Sequence, residues 1–146
     1  FKTEFVYQPI TSAWQRHDAI MKRIQRYVGT DKKQCTPKCY DYEKVWKKII
    51  LEARLNAGRH LLFCGFVNYD DTPRRGCQGK VIVGGTPERF ERNFSKLYKL
   101  SKKHQKDILF LMAWNEWGEG SYLEPDQKDG YKYLEKILET VDNEQG

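Results

Sequence analysis

No apolar stretch of this 146-residue sequence approaches the roughly 20 residues that cross a bilayer; the longest, over 108–114, is strand-sized, which excludes a helical membrane span. Basic residues are not gathered into a block. The net charge of +6 is spread as Lys32-Lys33, Lys47-Lys48, Arg74-Arg75 and Lys102-Lys103 between acidic residues, the pattern of solvated helix faces, so a nucleic-acid-binding domain is the minority reading. No phosphate loop and no Gly-x-Gly-x-x-Gly follows a candidate strand, leaving nucleotide-binding versions of an α/β fold without support. The four cysteines, Cys35, Cys39, Cys64 and Cys77, fit no zinc spacing. They are read as free thiols in a reducing, cytoplasmic compartment, ahead of a zinc site or a Cys35–Cys39 disulfide. Asp70 and Asp71 are adjacent, not the spaced pair of metal-dependent sugar transferases, so neither a metal nor another cofactor is expected. No basic-then-apolar leader precedes Phe1, and the chain is expected to be part of a longer protein.

What is present alternates helix and buried strand. Val45, Trp46, Ile49, Ile50 and Ala53 recur at helical spacing over 42–55, and Asn56-Ala57-Gly58 supplies the stop. Residues 61–67 then form an apolar run without alternation, as expected of a strand covered on both faces of a parallel sheet. The cycle repeats. Thr86-Pro87-Glu88 provides an N-cap, a proline at the first helical position and an acid in the first turn of a helix ending near His104, and residues 107–113 are a second buried strand. A Gly-, Pro- and Asp-rich loop over 114–130 leads to a closing helix over 131–141. Upstream, 13–28 is a weaker helical candidate and 1–8 a possible strand. Strands alternating with helices imply βαβ units, in a barrel or an open doubly wound sheet. The chain, taken as one domain over 1–146, is too short to close a barrel of about 250 residues, so open strand edges are expected to be covered in a homodimer.

The chemistry concentrates after the second strand. Glu116 and Glu119 lie three residues apart among Trp114, Asn115 and Trp117, with Gly118 and Gly120 allowing tight turns. Glycosidic-bond chemistry requires two carboxylates, one protonating the leaving oxygen and one assisting attack; this interval permits either the retaining or the inverting separation. Tryptophan faces stack on the C–H face of a sugar and desolvate a neighbouring carboxyl. The plain alternative is a surface loop whose tryptophans cap the sheet. Asp70, Asp71, Arg74 and Arg75, after the first buried strand, suit sugar hydroxyls or an anionic group, while turn formation and ion pairing account for them equally well. Tyr122 and Glu124 are candidates for supporting contacts.

The run Ala113-Trp114-Asn115-Glu116-Trp117-Gly118-Glu119-Gly120-Ser121-Tyr122-Leu123-Glu124-Pro125-Asp126, followed by Gly130-Tyr131-Lys132-Tyr133-Leu134, resembles the C-terminal signature of WbsX-type polysaccharide-biosynthesis proteins, relatives of glycoside hydrolase family 99. Residues 68–76 and Tyr40-Asp41-Tyr42 are similar to two further signatures of that group. The resemblance implies the C-terminal βα units of a (β/α)8 TIM-type barrel, acting on a sugar-containing substrate of a bacterial surface polysaccharide such as lipopolysaccharide. It implies Glu116 as the base and Glu119 as the acid of a retaining pair. Gly118 stands where the mannosidases of that hydrolase family commonly carry His, so their specificity does not carry over. Hydrolase and transferase remain open, as does a carbohydrate-binding remnant without turnover.

Overall fold

The computed structural model describes residues 4–15 and 35–144. Most of the 13–28 helical candidate lies outside them; Thr11–Gln15 forms a helical turn. Of the possible first strand, Glu4–Phe5 is extended (β1).

Local chemistry sets the main elements. The Asp41 carboxylate accepts the Lys44 backbone N–H at 2.8 Å and so starts α1, Tyr42–Leu55. That helix buries Val45, Trp46, Ile49, Ile50 and Ala53, and ends where the Asn56 side-chain and main-chain N–H groups both donate to the Glu52 carbonyl. Strand β3, Leu61–Phe66, follows, and is fully buried from Phe63 onward. The Thr86 hydroxyl accepts the Arg89 N–H at 3.3 Å to start α3, Pro87–Lys103, with Phe90, Phe94 and Leu97 inward. Strand β5, Leu109–Met112, and α4, Lys132–Asn143, complete the frame.

The protein is α/β. Strands β1, β3 and β5 form one parallel sheet in that order, with Phe5 opposite Leu62 and Cys64 opposite Phe110. Helices α1 and α3 pack on β3, and α4 lies along α3. Trp46, Phe66, Phe90 and Leu97 are all below 2% exposed at this junction, and burial of each contributes about 1.5–3 kcal/mol. Glu43 on α1 ties the helix layer together by accepting from Arg92 at 2.8 Å and Asn93 at 3.2 Å on α3. On the opposite face Phe5 and Phe110 form a half-exposed aromatic pair, centroids 5.1 Å apart. Among the described residues the sheet is open, with β1 and β5 at its edges, and no closed barrel is formed. A homodimer covering those edges finds no support.

A second ribbon lies where the sequence pattern shows no strand. Lys38–Asp41 (β2) and Lys80–Val83 (β4) pair in parallel as a separate ribbon, packed through Tyr40 against Trp14, which also meets Tyr69 at 4.9 Å. The free-thiol expectation is corrected in part. Cys35 and Cys77 form a disulfide with Cα atoms 5.2 Å apart, joining the approach to β2 to the turn before β4. Cys39 and Cys64 are free thiols. No helix among the described residues is long and apolar enough to cross a membrane.

Candidate functional site

Beyond Met112 the chain folds back as a small hairpin. Asn115–Glu116 (β6) pairs antiparallel with Ser121–Tyr122 (β7), Glu116 opposite Ser121, around a 3-10 turn at Trp117–Glu119. The hairpin is fastened to β5 by the Ser121 hydroxyl, which donates to the Met112 carbonyl at 3.2 Å, and its base is closed by the Leu123 and Glu124 N–H groups, both donating to the Trp114 carbonyl at 3.0 Å. Gly120 closes the turn at φ 55°, a left-handed conformation. A Cβ there would sit 3.2 Å from the Asp70 main-chain nitrogen, whereas Gly118 faces open space. Only one of the two glycines is therefore demanded by geometry.

Asp70 belongs to the second loop, which leaves β3 and forms a short helix α2, Thr72–Arg75. The Asp70 N–H donates to the Glu119 carbonyl at 2.6 Å, joining the two loops through their backbones. The Asp70 carboxylate accepts from the Thr72 N–H (2.9 Å) and hydroxyl (2.6 Å), a local turn at the entry to α2. Asp71 is 1% exposed, and its carboxylate accepts from the Lys80 N–H at 2.5 Å, the Tyr69 hydroxyl at 3.1 Å and the Arg75 Nε at 3.1 Å. Both aspartates are thus occupied in building the loop.

Arg74 points from α2 across to the hairpin, where its Nη2 donates to Glu119 Oε1. That hydrogen bond and the Glu119 charge raise the Arg74 pKa. Glu119 is half-buried, while Glu116 is exposed and its side chain makes no hydrogen bond or ion pair among the described residues. Tyr7, just past β1, was not singled out from the sequence, because nothing in its local pattern marks it. Burial first, then the charges of Glu119 and Glu116, raises its phenol pKa. Both glutamates therefore lie within electrostatic reach of one group at the carboxyl end of the sheet.

Of the aromatic residues, Trp117 stacks on Tyr122, with centroids 3.8 Å apart and planes 18° apart. Its indole N–H donates to Glu124 at 2.6 Å; the Tyr122 hydroxyl donates to Asp126 at 2.9 Å. Burial, followed by the bond to Asp126, pushes the Tyr122 phenol up to about 12. Trp117, Pro125, Asp126, Gln127 and Lys128 line an open hollow of about 530 Å³. Trp114 is 54% exposed. A smaller cleft of about 340 Å³, which neither glutamate lines, lies between the segment after β1 (Val6, Gln8 and Thr11), β3 and α1. Among the described residues no three His, Cys, Asp or Glu side chains converge as metal ligands.

Two loops at the carboxyl end of a parallel sheet thus bring together two glutamates, an arginine and a fixed aromatic stack. The profile of the family described as glycosyltransferase WbsX matches residues 2–137, and the chain belongs to that family. It is also similar to the protein WxcX of two strains of Xanthomonas campestris pv. campestris, 33% identical over 78 residues, which is 50% of this chain and 11% of each relative. The chain thus spans about a tenth of the length of these curated relatives. No solved structure matches it.

Proposed function

We propose that this chain is the C-terminal part of a TIM-type catalytic barrel that makes or breaks glycosidic bonds of a bacterial surface polysaccharide, with Glu116 and Glu119 as its reacting carboxylates. What supports the reading is that both glutamates follow the carboxyl end of β5 in the β1-β3-β5 sheet and that the charges of both raise the Tyr7 pKa. Strand order that follows chain order, each step passing through a helix, is what one arc of a barrel requires. Trp114, Trp117 and Tyr122 supply apolar faces for a sugar ring, Asn115 a polar edge beside them, and Arg74 a cation at the rim. Asp70 and Asp71 act through the loop they brace. Water as acceptor gives a hydrolase and a sugar hydroxyl a transferase; the same two carboxylates serve both.

The test is turnover of a panel of aryl glycosides and nucleotide sugars by the full-length protein, with Glu116→Gln and Glu119→Gln compared for rate and for affinity. Each substitution is expected to lower the rate by on the order of 10²-fold or more while leaving sugar affinity within a few-fold. Turnover unchanged in both variants would refute the assignment. The second reading, a sugar-binding surface without turnover, is favoured by the locked Trp117–Tyr122 stack and its open hollow. It predicts sugar binding that Trp117→Ala abolishes and that neither glutamine substitution affects.

A further inference from the structure

Trp117 stands between Glu116 and Glu119 in the chain, yet its ring is turned to a different use. Tyr122 stacks on it with centroids 3.8 Å and planes 18° apart, so one face is covered, and the N–H on its edge is spent on Glu124 at 2.6 Å. The residue is nonetheless 49% exposed. What meets solvent is therefore the second face of the indole, and it borders the open hollow of about 530 Å³ that Trp117 shares with Pro125, Asp126, Gln127 and Lys128. Neither glutamate lines that hollow.

The hollow is built from behind. The Tyr122 hydroxyl donates to Asp126 at 2.9 Å, and the same carboxylate accepts the Lys128 and Asp129 N–H groups at 3.0 and 2.6 Å, which ties the far wall to the back of the stack. A ring immobilised in this way loses no rotamer freedom when a partner settles on its bare face. The lining also selects the partner. Its cation, Lys128, is ion-paired with Asp129 at 3.4 Å, and Asp126 adds a carboxylate, so a phosphate or an acidic sugar finds no spare positive charge there. The Gln127 side chain is exposed and makes no hydrogen bond among the described residues, which leaves its amide for hydroxyl groups. An apolar face beside an amide is the complement of an uncharged pyranose, with its C–H face and its rim of hydroxyls. Because Trp117 and Glu119 share one 3-10 turn, the hollow adjoins the glutamate pair.

We propose that this hollow is a second sugar subsite, which seats an uncharged pyranose ring next to the one held by the glutamates, so that the substrate is an oligosaccharide gripped through neighbouring rings and not a single glycosyl unit. This rests on the sugar-processing reading above. It makes Trp117 and Gln127 residues that recognise chain length, while no bond is made or broken in the hollow itself.

The test titrates the full-length protein with neutral oligosaccharides of graded length, released by mild acid from the surface polysaccharide of its own source, and reads binding by saturation-transfer NMR. Affinity is expected to rise with chain length, to fall about tenfold or more in Trp117→Ala, and to stay within a few-fold in Glu116→Gln and Glu119→Gln. Gln127→Ala changes an exposed, unbonded side chain, so it leaves the fold intact and serves even where Trp117→Ala does not fold; it is expected to weaken the longer oligosaccharides by a few-fold. In turnover, Trp117→Ala raises KM for a long oligosaccharide by about tenfold more than for a one-ring aryl glycoside, the mark of lost binding shared by ground and transition states. No binding by the unsubstituted protein, affinity indifferent to chain length, or affinity unaltered in both hollow variants overturns the subsite, even with both glutamates essential for turnover. Tighter binding of uronate- or phosphate-bearing fragments than of neutral ones overturns the choice of an uncharged ring. The expected binding pattern in a protein without turnover keeps the subsite and fails the catalytic reading, so the two failures are told apart.

Discussion

Reducing the Cys35–Cys77 disulfide gives the most quantitative prediction. The bond closes a loop of 42 residues, and the loss of chain entropy on closing a loop that long stabilises the folded state by about 3.9 kcal/mol. A chain of this length unfolds with an entropy near 0.3 kcal/mol/K, so reduction is expected to lower the thermal midpoint by roughly 13 °C. The assay is a thermal melt followed by circular dichroism, with and without dithiothreitol, alongside the Cys35→Ser/Cys77→Ser double variant. The double variant is expected to melt with the reduced protein and to ignore reductant, while Cys39→Ser keeps the full response because that thiol is outside the bond. Oxidised and reduced proteins melting within about 2 °C of each other would refute the reasoning, since the constraint would then be absent or matched by structure in the unfolded chain.

Three further outcomes are expected. Gly120→Ala should cost about 1–2 kcal/mol in denaturant melts, because a side chain strains its left-handed backbone and the Asp70 nitrogen at 3.2 Å has to give way to a methyl group; Gly118→Ala should stay within about 0.5 kcal/mol, and equal effects would contradict the geometry. Asp71→Ala should lower unfolding free energy by about 3 kcal/mol, since it strands the Lys80 N–H and the Tyr69 hydroxyl away from water; a shift below about 1 kcal/mol would mean the loop repacks freely. For Glu43, burial works to raise the pKa, but the hydrogen bonds from Arg92 and Asn93 outweigh it and leave it lowered from 4.5. A depressed carboxylate stabilises above its unfolded value and loses that contribution as pH falls through the folded one. The stability gap between the native chain and Glu43→Gln should therefore be full at neutral pH and shrink in acid below about 4.5; a gap independent of pH would count against the ion pair.

The elements that announce themselves in the sequence are those whose pattern is local. Helix α1 shows its buried face through Val45, Trp46, Ile49 and Ile50, and β3 through an unbroken apolar run. The ribbon of β2 and β4 escaped because each strand has four residues, largely exposed in β2 and mixed in β4, and is sustained by a partner about 40 positions away. Val81-Ile82-Val83 carried a β-branched signal that would have marked the second strand. The same distance hid the Cys35–Cys77 bond, since cysteine spacing cannot say which thiols the fold brings together. At the site, Arg74 and Glu119 were each visible as candidate residues, but their contact spans 45 positions, and Tyr7 enters only through its neighbours in the sheet. Asp71 shows the limit of composition: an aspartate in a turn reads the same whether it faces a ligand or a buried main-chain amide.

The bracing of the 70–77 segment also bears on the energetics of encounter. A rim assembled before any guest arrives loses no conformational freedom when it is filled, so little of the contact energy goes into ordering it. Under the sugar-processing reading proposed above, association with such a rim should be a single kinetic phase whose rate scales linearly with ligand concentration, with no slow rearrangement following capture.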